Sequence, residues 1–137
     1  KIAILGFSFK ANTNDTRESP AIKICMDLLK EGSFLNIHDP KVTSKQINKE
    51  LKDYSKNEEY NFYNENSWEK TLDIDEALKD ASAVVILTEW EVYKDIDWEN
   101  KEFLMSSPAW IFDTRTITER KSINKTNLNY WRIGNEF

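Results

Sequence analysis

The sequence predicts an α/β fold, in which a doubly wound, mostly parallel sheet carries helices on both faces. Three short apolar runs, Ile2–Leu5, Ala83–Leu87 and Trp110–Phe112, are typical of strands that are buried on both sides, as they are in a parallel sheet. Segments with helical periodicity alternate with these runs, so we expect helical crossovers between consecutive strands. The 137 residues are enough for one such domain, spanning 1–137, and too few for two.

The first strand and helix are predicted from the residues that bound them. Gly6 follows the Ile2–Leu5 run and permits a backbone turn there. Ser19 suits the N-cap of a helix and Pro20 suits its first position. A broad apolar stripe then continues to a stop signal at Gly32. A second strand at 34–38 completes a βαβ unit, whose crossover should be right-handed.

The rest of the chain continues the alternation. The further predicted elements are a surface helix at 43–54, a long surface loop at 55–67, a short strand at 68–72, a helix at 73–81, a helix at 97–105 and a weak edge strand at 129–133. We find no internal repeat and no second domain. The arrangement is that of a Rossmann-like sheet.

Composition excludes several classes of function. The net charge of −5 argues against a non-specific nucleic-acid binder. No apolar run approaches the ~20 residues of a membrane-spanning helix, and no signal peptide is visible. One His and one Cys make a metal site improbable, and the single Cys25 fits a reducing, cytoplasmic compartment. A chain that starts inside a strand, without a methionine, is expected to be a piece of a longer protein.

Cationic side chains follow the strands at the edge where an open parallel sheet binds its ligands. Lys10 and Arg17 come after the first strand, and Arg115 comes after the Trp110 strand. Lys10 can act as a point charge on a phosphate, whereas an arginine offers a forked, bidentate donor. Trp90, after the Ala83 strand, is a residue that could line a pocket. The pattern predicts a site for a nucleotide diphosphate.

Each cation also has a simpler interpretation as a member of a local ion pair. Arg17 has Asp15 and Glu18 beside it, and Arg115 has Asp113. For a single arginine at a strand end this interpretation is the better one. Three cations that converge on one edge of an acidic protein instead favour a binding site.

A dinucleotide site within this domain is not expected. The first turn, 6–9, lacks the second and third glycines of the GxGxxG motif, so its backbone cannot approach a pyrophosphate closely. Asp39 stands where the ribose-binding acid would be, but before Pro40 it is interpreted as a turn residue. Cys25, within the helical apolar stripe, and His38, at a strand end, are interpreted as structural.

Four motifs in order resemble those of a known family. They are Gly6-Phe-Ser-Phe-Lys10 with Asn14-Asp-Thr-Arg-Glu-Ser-Pro20, His38-Asp-Pro40, Ala83-Val-Val-Ile-Leu-Thr-Glu-Trp90, and Ile111-Phe-Asp-Thr-Arg115. Together they resemble the C-terminal, UDP-binding domain of the UDP-glucose/GDP-mannose dehydrogenase family, and within it the UDP-glucose 6-dehydrogenases. The resemblance runs from residue 1 to about residue 115. The stretch 44–67 and the tail after residue 120 match poorly.

The resemblance implies an NAD-dependent oxidoreductase that converts UDP-glucose to UDP-glucuronate, with a separate N-terminal NAD-binding domain, a helical linking region and a homo-oligomeric state. By resemblance, Phe9, Lys10 and Arg115 would contact the UDP-sugar, and Arg17 would reach NAD on the other domain. The family's nucleophilic cysteine lies outside this chain, so no residue here is expected to be catalytic and the fragment should be inactive alone. The alternatives are another nucleotide-sugar dehydrogenase of the family, or a non-enzymatic flavodoxin-like regulatory module.

Overall fold

The structure, a computed structural model, describes residues 1–57 and 62–134. Its strands are β1 (Ile2–Leu5), β2 (Leu35–His38), β3 (Trp68–Lys70), β4 (Ala83–Ile86), β5 (Trp110–Asp113) and β6 (Asn129–Arg132). Its helices are α1 (Pro20–Lys30), α2 (Ser44–Tyr54), α3 (Ile74–Leu78), α4 (Glu91–Lys94), α5 (Trp98–Lys101) and α6 (Arg120–Ile123).

The six strands form one sheet in the order β3-β2-β1-β4-β5-β6, and every neighbouring pair is parallel. This is the strand order of the Rossmann fold, which reverses direction between β1 and β4. The predicted fold class is confirmed. A flavodoxin-like sheet has the order 2-1-3-4-5, so the alternative of a flavodoxin-like regulatory module is wrong.

The two longer helices begin as the sequence predicts. The Ser19 hydroxyl accepts a hydrogen bond from the Ala21 N–H (3.3 Å) and donates one to the Phe7 carbonyl (2.8 Å), so the cap also anchors the end of β1. Thr43 and Gln46 cap α2 reciprocally in a capping box. These caps position both helices against the sheet.

Other elements are shorter than predicted. The helix expected at 73–81 ends at Leu78, because Asp80 takes a left-handed backbone conformation (φ 60°) that a helix cannot contain. The helix expected at 97–105 divides into α5 and a 3₁₀ turn at Glu102–Leu104. Helices α4 and α6 were not predicted, since four residues are too few to show a periodic pattern.

The predicted loop at 55–67 contains a 3₁₀ turn at Glu65–Ser67, and its positions 58–61 lie outside the described residues. The predicted edge strand is present as β6, beside β5. In the part of the chain that the structure describes, no helix combines the length and apolar character needed to cross a bilayer.

The core has two layers, one on each face of the sheet. Alternate strand residues such as Ile4 and Ile37 pack against α1 and α2, together with the buried Cys25. The intervening residues, such as Leu5 and Ile86, pack against α3 to α6 on the other face. Cys25 is fully buried, as a structural cysteine is, and burial raises the pKa of its thiol. Trp90 is only 6% exposed and packs in the second layer.

Candidate functional site

The loops that leave β1 and β4 meet where the strand order reverses. Gly6 ends β1 with a backbone φ of +98°, and a Cβ atom added to it would lie 2.4 Å from the Cβ of Thr88. Thr88 is fully buried, and its hydroxyl donates a hydrogen bond to the Ser8 carbonyl (2.9 Å). Only glycine permits this approach, so the two loops form one continuous rim at the carboxyl edge of the sheet.

A buried carboxylate occupies the first turn of the rim. Asp39, only 2% exposed, accepts hydrogen bonds from the N–H groups of Phe7 (2.8 Å) and Ser8 (3.0 Å). The other carboxylate oxygen of Asp39 accepts hydrogen bonds from the backbone N–H groups of Lys41 and Val42. Asp39 is therefore the turn residue that the sequence predicts.

This arrangement decides whether the domain fits a dinucleotide. In a glycine-rich dinucleotide-binding loop, the backbone N–H groups of the first turn face the pyrophosphate. In this protein those of Phe7 and Ser8 bind the protein's own Asp39. The residues of this turn therefore do not fit NAD.

Glu89 joins the two loops that carry the predicted cations. One of its carboxylate oxygens accepts a hydrogen bond from the Ala11 N–H (2.9 Å), directly after Lys10. The other oxygen lies 3.5 Å from the Nε of Arg115. Lys10 and Arg115 therefore flank one carboxylate on the same rim, although 105 positions separate them in the sequence.

The Arg115 guanidinium is directed across the sheet rather than toward its nearest acid. Its Nε donates to the Leu87 carbonyl (2.9 Å), at the end of β4. Asp113 instead accepts from the Arg115 backbone N–H, and its second oxygen accepts from Ile117 and Thr118. The Asp113–Arg115 ion pair considered as the simpler alternative is not found in the described residues, and the Asp113 carboxylate instead shapes the loop. The terminal nitrogens of Arg115 have no hydrogen-bond partner among the described residues.

The loop after β1 presents Phe9 and Lys10 to solvent. The Phe9 side chain is 46% exposed, and its N–H donates to the Asp15 carbonyl (2.8 Å). The Lys10 carbonyl accepts from the Ser8 hydroxyl (2.9 Å), while the Lys10 ammonium has no partner within residues 1–57 and 62–134. The backbone of this loop is therefore fixed, and its aromatic ring and charge remain available.

Arg17 lies in a different setting. Its guanidinium forms a forked pair with Asp15 (3.0 and 2.9 Å), and its side chain is 85% exposed. The side-chain hydrogen bonds from Arg17, with its backbone N–H, lower the pKa of Asp15 to about 2. The local ion pair considered from the sequence is present, and nothing in the described residues links Arg17 to Arg115.

The electrostatics of Glu89 favour its charged form. Partial burial opposes ionisation, but the N–H groups of Ala11 and of Glu89 itself, with the Arg115 charge, outweigh that effect. The pKa of Glu89 therefore lies below its usual value. Glu89 is an anion at neutral pH and can hold both loops.

Sequence reasoning identified the cations of the rim and the turn residue Asp39, but it assigned no role to Glu89 and considered Asp113 only as a partner of Arg115. Asp39, Glu89 and Asp113 each stand at or just beyond the end of a buried strand. An acid at that position, where several loops leave the sheet, was the available signal. In the described residues no group of three or more His, Cys, Asp or Glu side chains could hold a metal ion.

A larger cavity of about 540 Å³ lies elsewhere, between α3, α4 and α5. Its walls include Asp73, Asp75, Asp95 and Asp97, with Lys101 paired to Asp75. Four carboxylates would repel a diphosphate. The rim between β1 and β4 is therefore the better site for an anionic ligand.

Comparison with known proteins agrees with this geometry. Residues 3–120 match the UDP-glucose/GDP-mannose dehydrogenase family, UDP binding domain. The chain belongs to this family. The predicted resemblance is confirmed, and the match covers all of the rim.

Among curated relatives, UDP-glucose 6-dehydrogenase of Drosophila melanogaster is 38% identical over 141 residues, which cover 100% of this chain and 29% of the relative. UDP-glucose 6-dehydrogenase 1 of Glycine max is 37% identical, over 98% of this chain and 29% of the relative. The chain thus spans less than a third of the length of the curated relatives it matches.

Solved structures share the fold at lower identity. The chain is similar to NDP-N-acetyl-D-galactosaminuronic acid dehydrogenase from Methanosarcina mazei Go1, with a TM-score of 0.76 and 22% identity, over 98% of this chain and 24% of that one. The chain is also similar to a UDP-glucose dehydrogenase from Pyrobaculum islandicum, with a TM-score of 0.66 and 23% identity. This match covers 94% of this chain and 24% of that one.

Proposed function

We propose that this chain is the UDP-sugar-binding domain of an NAD-dependent UDP-glucose 6-dehydrogenase, whose catalytic half lies outside it. The observation that carries the proposal is the Glu89 carboxylate, which holds the Lys10–Ala11 loop and Arg115 on one rim. The names of the relatives supply the substrate class.

The rim offers the groups that a nucleotide diphosphate requires. Arg115 has terminal nitrogens without partners in the described chain, and a guanidinium fork matches two phosphate oxygens. Lys10 adds a mobile point charge, and the exposed ring of Phe9 offers an apolar surface beside it. Asp39 and Glu89 fix the backbone so that binding need not order these loops.

In this proposal the domain contributes to catalysis by orientation. Contacts to the nucleotide end of the substrate hold the sugar in place against the other domain without touching the reacting carbon. No residue of this chain is assigned a chemical step, and the full-length protein would act as a homo-oligomer. The cofactor, NAD, would bind the other domain, because the first turn here does not fit a dinucleotide.

The test is a pair of substitutions in the full-length enzyme. Lys10→Ala and Arg115→Ala should each raise KM for UDP-glucose by about 10- to 100-fold, the loss of one charge-assisted hydrogen bond. Lys79→Ala is the matched control, because Lys79 is exposed and lines a cavity with Lys1 near the amino edge of the sheet. Unchanged KM in both rim variants would refute the proposal.

Arg17 is proposed to contact NAD rather than the sugar nucleotide. Its guanidinium is 85% exposed and has no contact with the Glu89 rim in the described residues, so it is free to meet another domain. Arg17→Ala should raise KM for NAD and leave KM for UDP-glucose unchanged. An effect confined to UDP-glucose would contradict this role.

A further inference from the structure

The part of the chain that carries Arg17, here called the Arg17 segment (residues 12–18), is bounded by two residues in the left-handed backbone conformation. Asn12 has a φ of 65° and Glu18 has a φ of 58°, and neither is a glycine. A left-handed conformation is unfavourable for such residues and persists where surrounding contacts impose it. The Arg17 segment is therefore shaped by contacts with other parts of the domain, and two of these contacts come from helix α2.

The first contact is a hydrogen bond between Thr16 and α2. Thr16 is only 6% exposed, and its hydroxyl donates to a carboxylate oxygen of Glu50 (2.8 Å). The next side chain, that of Arg17, extends into solvent. Within the described residues, Glu50 has no other hydrogen-bond or ion-pair partner. A hydrogen bond to a carboxylate is stronger than one between neutral groups, so Glu50 is a specific anchor for the Arg17 segment.

The second contact is made by Gln46, one turn earlier on α2. Its Nε2 donates to the Asn14 carbonyl (3.1 Å), while its Oε1 accepts from the Thr43 N–H in the capping box of the helix. Residues 46 and 50 are four positions apart, so they lie on the same face of α2. That face therefore holds the Arg17 segment at two points, residues 14 and 16.

Helix α2 is itself fixed relative to the first turn after β1. One carboxylate oxygen of Asp39 accepts from backbone N–H groups of that turn, and the other oxygen accepts from those just before α2. The Phe9 N–H, in the loop after β1, donates in turn to the Asp15 carbonyl (2.8 Å). The first turn, α2 and the Arg17 segment thus form a closed set of contacts, in which Glu50 is the link on the helix side.

We propose that Glu50 is a positioning residue for the cofactor, because through Thr16 it holds Arg17 where the guanidinium meets NAD. The inference rests on the proposed function, in which Arg17 contacts NAD bound to the other domain. The Asp15–Arg17 pair lies wholly within the Arg17 segment, so it cannot fix the guanidinium relative to the sheet. The contact between Thr16 and Glu50 does so.

This role predicts which kinetic parameter changes. Without the anchor, the Arg17 segment must be ordered when NAD binds, and that ordering weakens binding. Arg17 makes the same contact in the ground state and in the transition state, so KM for NAD rises while kcat stays unchanged. The groups proposed to bind the UDP-sugar depend on Glu89, which is not part of α2. KM for UDP-glucose should therefore stay unchanged.

Steady-state kinetics of the full-length enzyme test the proposal. Glu50→Ala should raise KM for NAD by about 3- to 10-fold, the equivalent of ordering one long side chain on binding. Glu50→Gln keeps an acceptor oxygen for the Thr16 hydroxyl and should restore KM for NAD to nearly the wild-type value. Asp53→Ala is the matched control, because it also removes a carboxylate from α2, and its partners Lys49 and Lys56 lie outside the Arg17 segment.

A double-mutant cycle tests whether Glu50 acts through Thr16. Thr16→Val removes the hydroxyl donor and keeps the shape of the side chain, so it should raise KM for NAD as Glu50→Ala does. The two substitutions remove the same hydrogen bond, and the double variant should therefore be no worse than either single variant. Glu50 is substituted in preference to Gln46 because Gln46 also caps α2.

Four results would overturn the proposal. They are an unchanged KM for NAD in Glu50→Ala, a fall in kcat with both substrates as a merely structural role would give, an equal effect of Asp53→Ala, and additive effects in the double variant. Arg17→Ala, measured in parallel, keeps the two hypotheses distinct. If Arg17→Ala raises KM for NAD and Glu50→Ala does not, only the positioning role of Glu50 is wrong. If neither does, the role of Arg17 is wrong as well.

Discussion

Two arginines of the same edge are held in opposite ways. Arg115 is anchored to groups that lie 26 and 28 positions earlier in the chain, the Glu89 carboxylate and the Leu87 carbonyl, and its side chain is 33% exposed. Arg17 pairs with Asp15, two positions away, and its side chain is 85% exposed. Tertiary contacts fix the direction of the first guanidinium, whereas the second depends on a local pair that solvent and salt screen.

The acids near these two arginines differ in the same way, in burial and in the range of their contacts. Asp39 is buried and accepts four backbone N–H groups from two loops. The Asp15 side chain is 37% exposed, and both of its carboxylate oxygens accept hydrogen bonds from Arg17. Buried contacts between loops therefore hold the rim acid Asp39, whereas the Asp15–Arg17 pair, here called the attachment, is a local pair near solvent. Substitutions of the rim acids should affect stability and UDP-glucose binding together, and matched substitutions in the attachment should leave stability and UDP-glucose binding nearly unchanged.

The largest effect is expected from Gly6→Ala. Its Cβ would lie 2.4 Å from the Thr88 side chain and 2.8 Å from the Thr88 backbone nitrogen, so the loops must separate. Overpacking costs about 1–3 kcal/mol and the left-handed backbone costs about 1–2 kcal/mol more. Urea unfolding should therefore show a loss of roughly 3 kcal/mol.

Gly32→Ala separates these two contributions. Gly32 also has a left-handed φ, +88°, but nothing lies within 4 Å of the added Cβ atom. This variant should lose only the backbone cost, about 1 kcal/mol. Equal losses in the two variants would mean that the contact between the loops is not as close as described.

Asp39→Asn should produce the next largest loss of stability. An amide offers one acceptor oxygen and turns its N–H₂ group toward two backbone N–H donors, so two buried donors lose their partners. The expected cost is about 2–3 kcal/mol. Chemical denaturation at neutral pH measures it.

Asp15→Asn is the control from the attachment. The exposed pair with Arg17 adds little to stability, so its midpoint of unfolding should be nearly that of the wild type. If Asp15→Asn were as destabilising as Asp39→Asn, the division between rim and attachment would be wrong.

The fold could be predicted because its signals are local. Doubly buried runs such as Ala83–Ile86 and the cap formed by Ser19 and Pro20 depend on neighbouring residues. Short helices such as α4 are too short to show a periodic pattern of apolar residues. The left-handed backbone of Asp80, which ends α3, cannot be predicted from the identity of its side chain. Those elements are determined by tertiary packing, which a linear pattern does not contain.

The site could be predicted only in part, for the same reason. Residue type and position at a strand end were enough to select Lys10 and Arg115 as candidates. The partner of Arg115 was not predictable, because the choice between Asp113, two positions away, and Glu89 depends on which strands are neighbours. An acid at a strand end can be noticed in the sequence, but which groups it holds together follows only once the strand order is known.

A smaller effect, on affinity, is expected from Glu89→Ala. The substitution frees the Ala11 N–H and leaves the Arg115 side chain held by the Leu87 carbonyl alone, so the ligand must complete the ordering of the binding groups. Isothermal titration of the full-length enzyme with UDP should show about a 5- to 10-fold higher Kd, equivalent to roughly 1 kcal/mol. Glu89→Gln keeps an acceptor for the Ala11 N–H, so its Kd for UDP should lie between those of the wild type and Glu89→Ala. Tighter binding by Glu89→Ala would mean that Glu89 competes with phosphate instead of positioning Arg115.

The smallest effect concerns the pH dependence of the attachment. Arg17 lowers the pKa of Asp15 from 3.8 to about 2, so the folded state holds the charged form more strongly than the unfolded chain does. The resulting stabilisation is present above pH 4 and is lost as the pH falls through about 2. NMR titration of the Asp15 carboxyl should give a midpoint near 2 in the wild type and a higher one in Arg17→Ala, in which the backbone N–H of residue 17 still stabilises the carboxylate. A wild-type midpoint near 3.8 would show that the fork is not maintained in solution, and would leave Arg17 unpaired and more readily available to a second domain.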